Sequence, residues 1–280
     1  MVGTELLSIK EFAEYTGVKQ HILRHYDDIG VFSPVERGAN GYRYYSPQQI
    51  TALNMVNVYL GVKAMHREIG EFNQNRSPQS TLDFLRQQGR KIDAELSRLH
   101  DAYAILHLYE SLISEGLTAD EDQLLLRECP ELPLFLGPVN QFATDGQFYS
   151  DFIDFCRTAR SGGINLSYPI GGLYQDIDSF TAAPDQPTRF FSTSPHGSQT
   201  KPAGRYLVGY ARGYYGALQG LPQRLSQYAA EQGLRLDGPV YVLYVLDEVS
   251  VADPNQFLAQ ASVRVQKLPK TAGTDGRGSR

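Results

Sequence analysis

The chain has 280 residues, of which 41% are hydrophobic and 20% charged, and its formal net charge is −5. This size suits two domains with a connecting element, and no apolar run approaches the ~20 residues needed to span a bilayer. The start of the chain lacks the segments of a secretory signal, and Cys129 and Cys156 have no metal-site or redox-motif spacing. We therefore expect a cytoplasmic protein that contacts no membrane and holds no metal or other cofactor.

The charge balance excludes a general electrostatic attraction to nucleic acid. Residues 1–76 carry eight Lys or Arg and eight Asp or Glu. Any binding to DNA must then depend on a local basic patch, doubled in a dimer, and must weaken clearly with added salt.

Two short helices are predicted near the amino terminus. Ser8-Ile9-Lys10-Glu11 is a capping box that begins the first helix, and Gly17 ends it. The second runs from about Lys19 to Ile29, with apolar residues at intervals of four and three. Two helices joined by a short turn are typical of a helix-turn-helix, in which the second helix reads the major groove.

A hairpin and two further helices follow. Asn40-Gly41 favours a type I′ turn and predicts a wing. Ser46 and Pro47 are predicted to begin a helix that reaches about Leu60, and a shorter helix covers about 63–72. Residues 1–76 are therefore predicted to form a winged helix-turn-helix domain.

The longest predicted helix follows Ser77-Pro78. Mostly apolar residues recur on it at alternating spacings of four and three for about four heptads. They are Leu85, Gly89, Ile92, Leu96, Leu99, Tyr103, Leu106, Glu110 and Ile113. The pattern favours a coiled-coil dimerisation helix at 77–116 over a helix packed on its own domain, with a linker at 117–123.

Short β-like runs rich in tyrosine begin at about Leu124. The candidate strands are Leu124–Cys129, Leu166–Tyr174, Thr188–Ser192, Arg205–Arg212, Val240–Asp247 and Ala261–Leu268. With helices expected at Phe148–Arg160 and Leu218–Gln232, each half has the order strand, helix, strand, strand. This order predicts an internal duplication within a domain at 124–270, followed by a disordered tail at 271–280.

The part of the chain up to the end of the long helix resembles the MerR family of bacterial transcription regulators. The resemblance lies in Leu7–Ala13, Thr16–Val18, Leu23–Gly30 and Asn40–Ser46, in the family's order and spacing. The remainder resembles the GyrI-like effector domain of multidrug-sensing members of the BmrR type. The matching residues there are Lys201–Tyr206, Tyr210 and Gly238–Tyr241.

The resemblance implies an α+β fold in three parts: an N-terminal winged helix-turn-helix, a long antiparallel coiled-coil dimerisation helix and a C-terminal duplicated β-α-β-β effector domain. It also implies a ligand-activated homodimeric activator of an efflux or detoxification gene, and not an enzyme. Such a dimer binds double-stranded promoter DNA with an overlong spacer. When a lipophilic aromatic small molecule binds, the dimer bends and untwists the DNA for RNA polymerase.

The residues expected to contact DNA lie on the second helix and the hairpin. They are Lys19, Gln20, His21, Arg24, His25, Tyr26, Tyr42, Arg43 and Tyr44. By resemblance, Arg24 and Tyr26 occupy recognition positions, His25 replaces a tyrosine usual in the family, and Arg43 is a phosphate clamp. The alternatives are a solvated hairpin with packing tyrosines and a Tyr26 that belongs mostly to the core.

The expected effector-binding residues are mostly aromatic, because aromatic faces suit flat, lipophilic and often cationic ligands. They are Tyr168, Phe191, Tyr206, Tyr210, Tyr214, Tyr215, Val242 and Tyr244, although any one tyrosine could be plain core. Val242 departs from the family, which usually has an acidic residue at this floor position. Asp247 and Glu248 could supply charge at the rim of the pocket, but a solvated strand end is the preferred interpretation, so the charge of the effector stays open.

Rival functions receive less support from the sequence. A metal or redox switch needs cysteines at the start of the dimer helix or after it, and Asn73–Ser80 and the region of Gly116 contain none. A GyrI-like hydrolase needs an acid in the cavity, which Val242 removes, and His196 lies in a turn-like loop without a Ser/His/Asp grouping. A sensor for one narrow ligand remains a further alternative.

Overall fold

The computed structural model describes residues 6–142, 147–218 and 220–267, and the chain divides into two compact units, Met1–Ala102 and Tyr103–Arg280. The division falls inside one long helix, which the sequence assigned to a segment of its own. None of the described helices is long and apolar enough to cross a membrane. The tail 271–280 lies outside the described residues.

The first unit is mainly helical and includes a small antiparallel sheet of strand order β1-β3-β2. Its elements are β1 (Leu7–Ser8), α1 (Ile9–Thr16), α2 (Gln20–Asp28), β2 (Glu36–Arg37), β3 (Arg43–Tyr45), α3 (Gln49–Gly61), α4 (His66–Gln74) and the start of α5 (Pro78–Thr118). The order is that of a winged helix-turn-helix.

Local signals explain where these elements begin and end. Ser8 caps α1 by accepting from the backbone N–H of Glu11 at 3.3 Å, while Glu11 Oε2 accepts from the Ser8 N–H at 2.8 Å. Gly17 ends α1 with φ +70°, a conformation that costs a glycine little. The third helix begins at Gln49, later than predicted, because Ser46 and Pro47 belong to a turn that precedes it. The Ser46 N–H donates to the side-chain oxygen of Gln49.

Helix α5 leaves a row of apolar side chains exposed. Its cap is Ser77, whose hydroxyl accepts from the Ser80 N–H at 3.1 Å. Leu96 and Leu99 are each 49% exposed, and Leu106 is 70% exposed. The row coincides with the predicted seam, and no large part of the described chain covers this face of α5.

The second unit is built on an antiparallel sheet of order β4-β9-β11-β10-β6-β7-β5-β8. After the end of α5 its elements are β4 (Leu124–Cys129), β5 (Leu132–Val139), α6 (Gln147–Ser161), β6 (Ile170–Tyr174), α7 (Ile177–Ala182), β7 (Arg189–Ser192), β8 (Gln199–Lys201), β9 (Gly204–Arg212), α8 (Leu221–Glu231), β10 (Leu234–Leu246) and β11 (Leu258–Lys267).

The internal duplication is visible in the strand order. The segments β5-α6-β6-β7 and β9-α8-β10-β11 share the order strand, helix, strand, strand, and their strands lie in matching positions, 5-7-6 and 9-11-10. The sequence wrongly began the first half at Leu124–Cys129. It missed Leu132–Val139 because Pro133, Gly137 and Pro138 weaken the strand pattern there.

The two faces of this sheet are covered differently. On the face of Val242 and Tyr244, the front face, buried side chains of α8 such as Leu225 pack on Leu207 and Ala261. On the back face, Leu112 near the end of α5 belongs to a cluster with Tyr206, Tyr210 and Tyr241. Because side chains alternate along a strand, neighbouring residues of one strand belong to different layers.

Candidate functional site

The outer side of α2 presents a polar surface. Leu23 is fully buried beneath it, while Lys19, His21, Arg24 and His25 are exposed. Arg24 Nη2 donates to Gln20 Oε1 at 3.2 Å, which directs the guanidinium along the helix. These side chains occupy the position that a recognition helix requires.

Tyr26 lies at the edge of this surface and not in its centre. It is half-buried and packs on the core of the first unit. Its ring centroid lies 6.4 Å from those of His25 and His66. The start of α4, where His66 lies, therefore adjoins the recognition helix, a neighbour that the sequence did not predict.

A groove between α1 and α2 gathers three basic side chains. Lys10, Lys19 and Arg24 line it, with Glu14 as its acidic member. The sequence analysis missed Lys10, which lies two residues before the buried Phe12 and therefore on the opposite side of α1. The local basic patch that DNA binding requires is present here.

The wing is attached to α2 by ion pairs. Asp27, with a side chain 1% exposed, accepts from Arg37 Nη2 and Arg43 Nε, each at 2.6 Å. Arg43 Nη2 also donates to Asp28 Oδ1 at 3.0 Å, and the hydrogen bond to Asp27 raises the pKa of Arg43. Arg43 is thus held by two carboxylates in the free protein, and its contact with a DNA phosphate stays a prediction. Tyr42 is exposed and Tyr44 half-buried.

A cavity of about 370 Å³ opens on the front face of the sheet in the second unit. Five of the predicted effector residues line it: Tyr168, Tyr214, Tyr215, Val242 and Tyr244. The sequence analysis missed six other aromatic lining residues: Tyr109, Phe148, Tyr149, Phe152, Tyr174 and Phe190. Phe190 meets Phe148 and Phe152 edge-on, each with centroids 5.4 Å apart, and these rings form one wall.

Small residues leave the cavity floor open. Val242 pairs with Gly172, and Gly172 pairs with Phe190 on the next strand. A Cβ on Gly172 would lie 2.8 Å from Cβ of Pro187, so the backbone of β6 and the loop before β7 approach each other closely. The floor is therefore apolar and shallow, as the sequence indicated for Val242.

Three predicted effector residues lie outside the cavity. Phe191, Tyr206 and Tyr210 are buried in the back-face cluster. The period of two along a strand places Phe190 on the front and Phe191 on the back, and likewise separates Tyr206 and Tyr210 from Leu207 and Ala211. We remove these three from the candidate site.

The cavity is acidic at one end. Asp185, Asp247 and Glu248 line it, and its lining residues among those described include no Lys, Arg or His. Tyr215 donates its hydroxyl hydrogen to Glu248 Oε2 at 2.8 Å. Asp247 is half-buried and lines the cavity, which corrects the expectation of a solvated strand end.

Burial shifts the titration of several groups around this cavity. It raises the pKa of the Asp247 carboxyl and raises that of Tyr244 to about 12. Burial also raises the pKa of Tyr215, with a contribution from its hydrogen bond to Glu248. A low-dielectric, negatively charged site is what produces shifts of this sign in acids.

The back face has its own polar groups, and all of them are paired internally. Glu115 on α5 accepts from Arg127, from the Tyr210 hydroxyl and, at 2.8 Å, from Gln260 Nε2. Lys201 Nζ donates to Ser262 Oγ at 2.7 Å. These contacts hold the end of α5 and the sheet together.

Comparison with known proteins gives the first unit its family. Residues 7–65 match the family model described as MerR HTH family regulatory protein. The chain carries a MerR helix-turn-helix domain. The predicted resemblance is thereby confirmed for the first unit.

Relatives of this chain include named regulators. A multidrug-efflux transporter 2 regulator of Bacillus subtilis (strain 168) is 23% identical over 263 residues, covering 92% of this chain and 96% of its own. The transcriptional regulator BrlR of Pseudomonas aeruginosa is 44% identical over 52 residues, 18% of this chain and 19% of its own. The alignment with the first relative spans both units of this chain. Both relatives are regulators by name.

One solved structure aligns with nearly the whole of this chain. It is a chain from a cryo-EM structure of an EcmrR–DNA complex in EcmrR-RPo, 17% identical, with a TM-score of 0.38. The alignment covers 94% of this chain and 100% of that chain.

Proposed function

We propose that this protein is a cytoplasmic, homodimeric transcription activator that binds promoter DNA through its MerR domain and an aromatic, lipophilic cation in the front-face cavity. The observation that carries the proposal is an aromatic cavity with three carboxylates and no basic lining residue among those described, in a chain with a MerR domain. The proposal thus commits to a positively charged effector, whereas the sequence left the charge of the effector open.

The chemistry of the cavity favours a cation. An organic cation gains cation–π attraction from tyrosine faces, worth about 2 kcal/mol or more when desolvated. It also pairs with the carboxylate of half-buried Asp247, whose raised pKa reflects the cost of burying a negative charge. An anionic ligand of the same shape would meet the repulsion of Asp185, Asp247 and Glu248.

The exposed row on α5 supports the homodimer. Apolar residues at heptad spacing that remain about half exposed in one chain are typical of a coiled-coil partner surface. A second copy in antiparallel orientation would bury Leu96, Leu99 and Leu106. Two MerR domains would then bind the two halves of one operator.

The MerR domain supports a DNA complex that depends strongly on salt. Lys10, Lys19 and Arg24 form its basic groove, while Arg43 is neutralised by Asp27. With few free cations in each domain, much of the affinity must come from having two domains. Effector binding would then favour a bent, untwisted promoter that RNA polymerase can open.

The experiment compares three probes of similar shape and different charge on the purified full-length protein. We expect calorimetry to give micromolar binding for tetraphenylphosphonium, weaker binding for neutral triphenylphosphine oxide and none for the anion tetraphenylborate. Equal binding of the anion and the cation would contradict the proposed effector class.

The same preparation tests the regulatory and non-enzymatic parts of the proposal. An operator for the assay is first selected by the protein from random DNA. Transcription from it by bacterial RNA polymerase should rise when tetraphenylphosphonium is added. Mass spectrometry of ester probes incubated with the protein should show no turnover. Hydrolysis that a Glu248→Gln variant abolishes would instead favour an esterase-like function.

A further inference from the structure

Tyr109 enters the cavity from the long helix and not from the sheet. It is half-buried and lines the same end of the cavity as Asp247 and Glu248. Burial and the negative charges of Asp247 and Glu248 raise the pKa of its hydroxyl, which agrees with that proximity. A molecule at the acidic end of the cavity would touch α5 directly.

The end of α5 and the end of β10 are tightly packed beside this point. A Cβ on Gly116 would lie 2.6 Å from Cγ of Leu246, so helix and strand meet without space for a methyl group. Leu246 is followed directly by Asp247 and Glu248, which line the cavity. A ligand that displaces these two residues therefore also acts on the contact between Leu246 and Gly116, which has no free space.

Six residues beyond Tyr109, the same helix is held by polar bonds. Glu115 accepts from Arg127 of β4, Tyr210 of β9 and Gln260 of β11. Leu108 and Leu112 pack into the back-face cluster. Other side chains of α5 thus attach the helix to the sheet. Among the described residues of α5, Tyr109 is the one that lines the cavity.

We propose that Tyr109 is a direct contact of the effector and that, through it, α5 responds to occupancy of the cavity. The inference rests on the proposed function, because it requires that the effector bind in the front-face cavity. A ligand can shift α5 only if it interacts differently with its alternative positions, and a ring contributed by α5 itself provides that difference. Tyr109 would then separate ligands that bind and activate from ligands that only bind.

The test uses tetraphenylphosphonium as probe and hydrogen–deuterium exchange of the full-length protein as readout. We expect the probe to slow exchange in peptides covering residues 103–118 of the wild type. Tyr109→Leu, at a probe concentration that saturates it, should lose this slowing and bind the probe about tenfold more weakly. Tyr109→Phe keeps the ring and should restore most of the response.

Tyr149→Leu is the matched control, since Tyr149 lines the cavity from α6. It should weaken binding of the probe to a similar degree while leaving the exchange response of α5 intact at saturation. Selected-operator affinity without probe should be the same in Tyr109→Leu and wild type, which excludes misfolding as the cause of a lost response.

The outcomes separate the two claims. If the wild type does not bind the probe, the proposed effector class fails. If it binds the probe and residues 103–118 exchange at an unchanged rate, or if Tyr109→Leu at saturation keeps the full response, the inference about Tyr109 is overturned and the effector class stands.

Discussion

Tyrosines on the front face of the sheet, such as Tyr215 and Tyr244, line a cavity, whereas Tyr210 and Tyr241 on the back face are enclosed by the end of α5 and its polar contacts. The front-face cavity is lined by glycine, valine and aromatic residues, and its carboxylates have no basic partner among the lining residues. The back pairs Glu115 with Arg127 and places Lys201 against Ser262. One residue type thus serves ligand binding on one face and attachment of the long helix on the other, and alternation along the strands decides which.

The largest effect should come from Gly171→Ala, which tests how tightly the back face is packed. The new Cβ would lie 2.4 Å from the Val242 carbonyl oxygen and 2.5 Å from Cζ of Phe191. Because a backbone atom is involved, we expect the free energy of unfolding to fall by about 3 kcal/mol. Urea denaturation followed by circular dichroism measures it.

Gly61→Ala is the control for that variant, since a Cβ there meets nothing within 4 Å. It should leave stability unchanged or raise it by up to about 1 kcal/mol. An unchanged urea midpoint in Gly171→Ala would mean that the back face is looser than described here.

A second, smaller effect should follow removal of the polar attachment of α5. Glu115→Ala leaves Arg127, Tyr210 and Gln260 without their shared acceptor, and because Glu115 is 25% and Arg127 41% exposed, part of the loss is replaced by water. We expect a decrease of about 2 kcal/mol in the free energy of unfolding. Asp93→Ala, at an exposed position of the same helix outside the predicted seam, should change the free energy of unfolding by less than about 0.5 kcal/mol. Equal effects of the two variants would show that the contacts of Glu115 add no stability.

A charge at the cavity floor should sharpen the front face's preference for cations. Val242→Glu adds a carboxylate opposite Gly172, and we expect about tenfold tighter binding of tetraphenylphosphonium, or about 1.4 kcal/mol. Val242→Gln has the same size without the charge and should not strengthen binding. Calorimetry on both variants measures the difference, and a gain in the Gln variant equal to that in the Glu variant would show that size matters more than charge.

The smallest effect concerns the buried amine of the back face. Lys201 Nζ donates to Ser262 Oγ and lies 4.5 and 5.1 Å from the ring centroids of Tyr206 and Tyr241. Since a buried charge costs solvation, Lys201→Met should be neutral or stabilising by about 1 kcal/mol at pH 7. A loss of stability would mean that the two cation–π contacts outweigh desolvation.

The pH dependence of that variant has a definite sign. Burial lowers the pKa of Lys201 from 10.5, so between the lowered pKa and 10.5 the unfolded chain binds more protons than the folded one. This group therefore makes the wild type more stable as pH rises through that window, and Lys201→Met should lack the increase. Measurement up to about pH 10 avoids the opposite contribution of Tyr206 and Tyr241, whose pKa values are raised.

The sequence predicted the MerR domain well because its signals are local. The capping box at Ser8, the glycine at Gly17 and the Asn40-Gly41 turn each act within a few residues. The role of Arg43 was not predictable in the same way, since its partner Asp27 is sixteen positions away and becomes a neighbour only when the wing folds back.

The cavity was predicted in part, for a different physical reason. Composition indicated a tyrosine-rich site. Whether a residue lines the cavity, however, depends on which face of the sheet its side chain occupies, and a shift of one position along the strand exchanges Phe190 for Phe191. Tyr109 gave no signal because its helical position reads as part of a coiled coil. The charges of Asp247 and Glu248 were misplaced since the turn that follows β10 brings them to the cavity.

The place where the two duplicated halves join has a consequence for how this protein can diversify. Strands β10 and β6 meet there, and Val242 from one half faces Gly172 from the other across a single pair of strands. Each half supplies one side of the floor while keeping its own helix and its own pairings. Ligand range can thus be retuned by substitutions in either repeat independently, and a small combinatorial library at Ile170, Val242 and Tyr244 would sample new sensors while leaving the MerR domain unaltered.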